Sequence, residues 1–341
     1  MTADVTVEDV AWLTVDHVSA SGTARRAASQ LAARVGMPEE RVNEIALAVA
    51  ELTTNLVKHA GSGSVLLRLR HGAAGPVVEV VSVDAGPGIA DVTAALGDGV
   101  STAGTLGIGL GSVVRLATTW DIWTRPGAGT VIAAGFAAGR PAAPATVPVA
   151  VGLTRPMSGQ DVCGDAYAIR QDDGVLSLML ADGLGHGPLA AVASTEAVRA
   201  FRAAPAGGPV PLLTAVHRAL HGTRGAAVAV ARLEADQVRY AGVGNIAGAV
   251  VDGTARRVMI SHPGIVGAQA RNLRETTYPL PRGAAVIMHS DGVTERQALD
   301  AYPGLLSRSP LVIGAVVLRD FGVRRDDASV VVARPAAAEA A

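Results

Sequence analysis

The sequence predicts an α+β protein built from two domains. Its 341 residues exceed the roughly 150 that one domain usually takes. A stretch of small residues with three prolines, residues 138–148, has no apolar periodicity and divides the chain. Helix-like and strand-like segments occur on both sides of it. We therefore expect domains at residues 1–137 and 149–335, an extended or semi-rigid linker between them, and a disordered tail at residues 336–341.

Charge and composition exclude several classes of protein. The net charge is −1 with 17% charged residues and no run rich in lysine and arginine, so we expect neither nucleic-acid binding nor membrane binding. Cys163 is the only cysteine, which excludes an intramolecular disulfide and a cysteine-based zinc cluster. No uncharged apolar run reaches the roughly 18 residues of a membrane span, and the acidic N-terminus does not resemble an export signal. These features favour the reducing cytoplasm.

The first domain begins with two predicted helices, at residues 20–35 and 39–60. The second has apolar residues at alternating spacings of three and four, the pattern of a helix packed on a core. It places Glu51 and Asn55 four residues apart and thus on one face. A glycine-rich segment at residues 104–117 leads into a short helix. Strands are predicted at residues 65–70, 77–84, 120–124 and 130–136.

The ordered motifs of this domain suit a nucleotide pocket. E-x-x-x-N on the helix is followed by D-x-G-x-G, by G-x-G-x-G and by a late G-T. The residues that carry these motifs are Glu51, Asn55, Asp84, Gly86, Gly88, Gly107, Gly109, Gly111 and Thr130. An amide oxygen can bind Mg²⁺, a carboxylate can accept from an adenine amino group, and glycine N–H groups can cover phosphates. A Walker loop is excluded because no lysine follows the glycines, and the spacing differs from that of dinucleotide-binding folds.

These motifs resemble those of the GHKL ATPases, and among them the RsbT-like serine kinases and anti-sigma factors. The resemblance covers about residues 20–137 and is carried by ELTTNLVKHAG, DAGPGI and GIGLGSVVRL. It implies a Bergerat-type α/β sandwich that binds ATP with one Mg²⁺. It also implies that Asn55 is the Mg²⁺ ligand, Asp84 the adenine partner and Glu51 the base that prepares a serine hydroxyl. Gly86 and Gly88 belong to the accompanying turn.

The second domain begins with two predicted strands on either side of a polar turn at residues 171–174. A Gly-Asp pair and an Asp-Gly pair lie at the far ends of these strands. Asp161, Asp172 and Asp173 are interpreted as solvated turn acids. The remaining elements are helices at residues 188–203 and 210–221, strands at residues 226–233, 238–243, 248–251 and 284–289, and a last strand ending at residue 333.

Carboxylates follow or precede several strands of this domain. They are Asp165, Asp182, Asp291, Asp326 and Asp327. Such oxygen ligands can hold two Mg²⁺ or Mn²⁺ ions about 4 Å apart, which lowers the pKa of a bridging water so that it attacks a phosphoester near neutral pH. Cys163 lies in no C-x5-R phosphatase loop and is interpreted as a small packed residue. His217 and His221 lie four apart on a helix, but no glutamate follows His217 as in a zinc protease motif.

The order G-D, D-G-x-G-H-G, S-D-G and R-D-D-A-S, over residues 149–333, resembles the SpoIIE-type branch of the metal-dependent PPM phosphatases, especially its RsbX-type members. The resemblance implies an α-β-β-α sandwich and leaves the role of Asp327 open. Cys163 is a departure, because much of the branch has glycine there and a larger side chain could alter the approach to the metal. By position the resemblance implies the metal ligands Asp165, Asp182, Asp291 and Asp326, with the carbonyl of Gly183.

Together the two resemblances imply a bifunctional regulator of a partner-switching circuit, of the sigma-factor or stressosome type. A serine kinase and a phosphoserine or phosphothreonine phosphatase would act on STAS-domain proteins, which are anti-sigma-factor antagonists or stressosome scaffolds. The alternative is a phosphatase gated by a nucleotide- and partner-binding domain that has no kinase activity.

Overall fold

The computed structural model describes residues 6–72, 75–97, 109–139, 149–253, 255–270, 273–295 and 297–334. These residues divide into two compact units, one within residues 5–147 and the other within residues 148–341. The predicted linker lies outside the described residues except for Ala138 and Gly139, and the predicted tail lies outside them entirely. The exact domain boundaries stay a prediction. Within the described ranges, no helix is long and apolar enough to cross a membrane.

The first unit is an antiparallel sheet with helices packed against it. Its elements are β1 (Thr6–Val15), α1 (Val18–Arg34), α2 (Glu39–Asn55), β2 (Gly63–Gly72), β3 (Gly75–Val83), α3 (Val92–Leu96), α4 (Leu110–Leu116), β4 (Thr119–Thr124) and β5 (Thr130–Ala137). The strands are arranged in the order β1-β2-β3-β5-β4. Ile45 and Leu52 of α2 share a core with Leu67, Val80 and Phe136 of the sheet. The apolar stripe predicted for the second helix therefore faces the sheet.

The helix predicted at residues 39–60 changes its geometry near its end. The α-helical part stops at Asn55, and a π-helical turn, Leu56–Ala60, continues the chain. Gly61, with φ of 78°, ends this turn. Short π-helical segments are rare and frequently occur at functional sites. Asn55 lies where the helical geometry changes.

Among its described residues, the second unit contains two sheets and three α-helices. Its elements are β6 (Ala150–Arg155), β7 (Asp165–Asp172), β8 (Val175–Gly183), α5 (Pro188–Ala203), α6 (Pro209–Ala219), β9 (Ala226–Leu233), β10 (Gln237–Val243), β11 (Ala247–Asp252), β12 (Ala255–Met259), β13 (Ser261–His262), β14 (Thr276–Pro279), β15 (Ala285–His289), α7 (Pro310–Phe321) and β16 (Ala328–Ala333). One sheet has the order β13-β10-β9-β8-β7, with β14 also paired to β10, and the other has the order β12-β11-β15-β16-β6.

The helices and sheets of this unit form four layers. Phe201 of α5 packs with Met179 on one face of the first sheet. Leu180 and Met288 belong to the core between the two sheets. Gly314 brings α7 against side chains of β6 and β16 on the second sheet. The α-β-β-α sandwich and the two-domain α+β class are confirmed.

The prediction that Asp172 is a solvated turn acid is wrong. Strand β7 extends to Asp172, which is buried and accepts from Nε of Arg170 at 2.7 Å. Nη1 of Arg170 also donates to the carbonyls of Phe201 at 2.7 Å and Ala204 at 2.8 Å. The buried ion pair therefore ties the end of β7 to the end of α5. Asp161 and Asp173 are exposed, as expected.

Candidate functional site

The helix of the first domain carries two of the predicted nucleotide-pocket residues. Glu51 and Asn55 are both partly buried in the last turns of α2. Burial raises the pKa of the Glu51 carboxyl above its usual 4.5, and the nearby Lys58 lowers it in part. A carboxyl group with a raised pKa is a stronger base once it is ionised.

Asp84 organises the turn that follows β3. Its Oδ1 accepts from the N–H of Gly86 at 2.8 Å and from the N–H of Thr130 at 3.2 Å. The backbones of Asp84 and Thr130 also exchange two hydrogen bonds, of 3.0 and 3.3 Å. A Cβ atom on Gly86 would be 2.7 Å from Cβ of Ala60, so this turn lies against the π-helical turn after Asn55. The structure thus brings Asp84, Gly86 and Thr130 together beside the end of the helix.

The predicted glycine-rich loop is described only in part. Gly107 lies outside the described residues, and Gly109 is the residue before α4. A Cβ atom on Gly111 would be 2.5 Å from the carbonyl oxygen of Leu96, so this glycine lets α4 pack on α3. Gly88, in the turn after Asp84, lies against the backbone of Arg125. The nearest neighbours of Gly88 and Gly111 are therefore backbone atoms.

In the second domain, strand pairing places two of the predicted acids side by side. Asp165 at the start of β7 is the register partner of Asp182 near the end of β8. Burial raises the pKa of the Asp182 carboxyl, and the negative charges of Asp165, Asp291 and Asp326 raise it further. Carboxylates from four segments of the chain therefore repel one another around Asp182.

Two serine hydroxyls hold Asp165 in place. Oγ of Ser290 and Oγ of Ser329 donate to its Oδ2, at 2.6 and 2.7 Å. Both serines are buried, and the N–H of Ser329 donates to Oγ of Ser290 at 3.0 Å. Burial raises the pKa of Asp165, and these two hydrogen bonds lower it in part. The serines stand inside the S-D-G and D-D-A-S motifs, but sequence reasoning passed over them.

The other two acids come from adjacent strands of the second sheet. Asp291 follows β15 and Asp326 precedes β16, and these strands are antiparallel neighbours. Burial raises the pKa of Asp326, the charge of Asp291 raises it further, and the nearby His186 lowers it. Nδ2 of Asn245, in the turn between β10 and β11, donates to Oδ2 of Asp291 at 2.5 Å. Sequence reasoning missed Asn245, although Gly244-Asn245 after a strand has the same form as the Gly-Asp pair that located Asp165.

Asp327 has a structural part in this arrangement. Its two carboxylate oxygens accept from the N–H of Met157 and from the N–H of Gly164, each at 2.8 Å. A Cβ atom on Gly292 would be 1.8 Å from the carbonyl oxygen of Asp327, and one on Gly183 would be 2.1 Å from that of Ala190. Both Asp-Gly pairs therefore need glycine because neighbouring backbone comes too close for a side chain.

The donor set of this site fits a hard divalent cation. Within the described residues, no three His, Cys, Asp or Glu side chains are already grouped as ligands of one ion. Mg²⁺ keeps several of its waters, however, and is usually held by only one or two carboxylates. The mutual repulsion around Asp182 is the kind of electrostatic strain that a bound cation relieves.

Two family models match the chain, one in each half. Residues 13–135 match "Histidine kinase-like ATPase domain", and residues 172–335 match "Stage II sporulation protein E (SpoIIE)". The serine/threonine-protein kinase RsbT of Bacillus subtilis (strain 168) is 32% identical over 111 residues, which are 33% of this chain and 84% of RsbT.

Solved structures also resemble the chain. A chain described under "The bacterial stressosome: a modular system that has been adapted to control secondary messenger signaling" is 31% identical, with a TM-score of 0.50, and the match covers 54% of this chain and 98% of that one. RsbX in complex with magnesium is 19% identical, with a TM-score of 0.44, over 54% of this chain and 92% of its own. The chain belongs through its first domain to the histidine kinase-like ATPase family of RsbT, and its second domain is a SpoIIE-type domain with the PPM phosphatase fold.

Proposed function

We propose that this partner-switching regulator is bifunctional, with an ATP-dependent serine kinase in its first domain and a metal-dependent phosphoserine or phosphothreonine phosphatase in its second. Its proposed substrates are STAS-domain proteins, either anti-sigma-factor antagonists or stressosome scaffolds. The observation that carries the proposal is the convergence of Asp165, Asp291 and Asp326 on Asp182, in a chain whose other domain is RsbT-like.

In the phosphatase domain, the residues proposed to hold two Mg²⁺ or Mn²⁺ ions are Asp165, Asp182, Asp291 and Asp326, with the carbonyl of Gly183. Such ions, when bound, supply Lewis acidity and lower the pKa of water. The protein itself orients the carboxylates, since two serines hold Asp165 and Asn245 holds Asp291. Oriented ligands bind metal more tightly than freely rotating ones.

In the kinase domain, Glu51 is proposed to take the proton from the substrate serine hydroxyl. The amide oxygen of Asn55 would bind the Mg²⁺ of ATP, and Asp84 would accept from the adenine amino group. The N–H groups that bind Oδ1 of Asp84 hold its carboxylate in one orientation, which supports that role. Gly86, Gly88, Gly107, Gly109, Gly111 and Thr130 are proposed to complete the pocket.

Replacing Glu51 tests the kinase assignment. Glu51→Ala should abolish transfer of radiolabelled phosphate from ATP to a STAS-domain protein while leaving ATP affinity, measured by calorimetry, unchanged. Glu40→Ala, at an exposed position of the same helix, should leave both unchanged. If the unmutated protein transfers no phosphate to any STAS-domain candidate, the first domain is instead a gating module for the phosphatase.

Two acids test the phosphatase assignment. Asp182→Asn and Asp291→Asn should each lower Mn²⁺-dependent hydrolysis of a phosphoserine peptide by more than roughly 100-fold, because each removes a charged ligand. The control is Asp173→Asn, in an exposed turn with φ of 51° where asparagine is well accommodated. Unchanged hydrolysis in both variants would sink the two-metal assignment.

A further inference from the structure

An arginine without an assigned role lies at the same end of the first sheet as the acids. Strand β9 pairs with β8 so that Ala226 is the register partner of Gly183 and Ala227 that of Asp182. Arg224 precedes β9 by two residues. The chain thus returns from α6 to the end of the sheet where Asp182 lies, and Arg224 is located at this end.

The backbone on both sides of Arg224 is held firmly. Oγ1 of Thr223 donates to the carbonyl of Leu220 at 2.7 Å and accepts from the N–H of Gly225 at 3.0 Å. The carbonyl of Gly225 accepts from the N–H of Leu184 at 3.1 Å, and Leu184 belongs to the loop that follows Asp182. Gly225 has φ of 82°, and a Cβ atom there would be 2.6 Å from Cγ2 of Ile265. The position of Arg224 is therefore built into the fold.

The guanidinium group of Arg224 lies over the D-G-L-G-H-G loop. A Cβ atom on Gly185 would be only 3.1 Å from its Nη1. Arg224 is exposed, and it makes no hydrogen bond or ion pair with the residues that the structure describes. Other arginines of this domain form ion pairs: Arg170 pairs with Asp172, and Arg239 pairs with Glu275. Arg224 is thus a charged group beside the loop that follows Asp182, with its donors unused.

In the proposed reaction, the substrate phosphate is a ligand that these donors can bind. A phosphoester carries negative charge, and carboxylates repel it, so a substrate phosphate needs donors beyond the acid cluster. Guanidinium is planar and can donate two parallel hydrogen bonds to phosphate, which an ammonium group does with less geometric specificity. We infer that Arg224 binds the phosphate group of the phosphoprotein substrate, an inference that rests on the proposed phosphatase function.

The first test separates binding from turnover. Arg224→Ala should raise KM for a phosphoserine peptide by about 10- to 100-fold, the loss expected for charge-assisted hydrogen bonds, and should change kcat much less. Arg224→Lys should lie between Arg224→Ala and the unmutated protein. The matched control is Arg257→Ala, an exposed arginine on edge strand β12 of the other sheet. A KM in Arg224→Ala equal to that of this control overturns the inference.

A second test does not depend on hydrolysis. Calorimetric titration of the Mn²⁺-loaded full-length protein with inorganic phosphate should give a Kd about 10- to 100-fold higher for Arg224→Ala than for Arg257→Ala. Equal affinities, or no phosphate binding by the unmutated protein, overturn the inference. If the unmutated protein binds phosphate through Arg224 but hydrolyses no phosphoserine, the phosphatase assignment fails while the role of Arg224 stands.

Discussion

Asp165 shows how single side chains prepare the acidic site. Its Oδ2 accepts hydrogen bonds from two serine hydroxyls, although the carboxyl group is buried beside other acids. Ser290 belongs to the segment after β15 and Ser329 to β16, so the fold brings donors from two separate segments to the start of β7. A carboxylate held in this way needs little rearrangement when it binds a cation.

Removing one of these hydroxyls should weaken the metal site. Ser329→Ala is expected to raise the Mn²⁺ concentration for half-maximal phosphatase activity by roughly 10- to 100-fold, because Asp165 loses a donor that orients it. The measurement is a Mn²⁺ titration of phosphoserine peptide hydrolysis. Ser177→Ala, at a buried position further along β8, is the control. Identical titrations for the two variants would show that the hydroxyl does not position Asp165.

At the scale of elements, the Arg170–Asp172 pair fastens a helix to a sheet. Arg170 bonds the side chain of Asp172 and two carbonyls at the end of α5, and all of these contacts are buried or partly buried. Loss of one partner from such a pair leaves the other charge buried without compensation.

Arg170→Ala should therefore lower the free energy of unfolding of the second domain by about 3–5 kcal/mol. Arg199→Ala, which removes an exposed i,i+3 pair on α5, should cost less than about 1 kcal/mol. Urea unfolding can be followed domain by domain, because all four tyrosines lie after residue 149 and all three tryptophans before it. Similar losses in the two variants, or a change in the tryptophan transition, would contradict this expectation.

The sequence predicted those elements in which apolar residues recur with a clear helical or strand period. The apolar stripe of α2 and the strand pair β7–β8 around a polar turn are examples. Strand β1 was missed, because it carries the acid Asp9, whose burial depends on Arg68 across the strand pair. Helix α7 was missed for the opposite reason: nine of its residues are buried, so no polar face reveals its period.

The same contrast holds for the acidic site. Spacing and Asp-Gly pairs located the acids, whereas Ser290, Ser329 and Asn245 have partners up to 164 residues away along the chain. Serine beside aspartate is common in turns, so only the folded strands reveal these contacts. Whether the acids are metal ligands stays a prediction for the experiments above.

At the scale of the whole molecule, two opposed reactions would share one substrate. A kinase and a phosphatase that run together achieve only the hydrolysis of ATP. We expect partner binding to favour one of them; equal activity of both with and without partners would count against this arrangement.

Phosphate release measures the coupling directly. With ATP, Mg²⁺, Mn²⁺ and a STAS-domain protein, the unmutated chain should release many equivalents of inorganic phosphate per substrate molecule. Asp182→Asn should release almost none and leave the substrate phosphorylated once, while Glu51→Ala should leave it unphosphorylated. A coupled phosphate assay with mass spectrometry of the substrate records both quantities. Sustained release by Asp182→Asn would place the hydrolysis outside the proposed site.

The close contact at Gly292 also bears on how genes of this kind diverge. A duplicated copy can exchange Asp291 for asparagine and keep its fold, but a side chain at Gly292 would collide with the backbone of Asp327. After loss of function, we therefore expect substitutions to accumulate at Asp291 but not at Gly292. In a paralogue we expect Gly292 to be kept for the fold, whereas replacement of Asp291 would indicate that the proposed metal site has been lost.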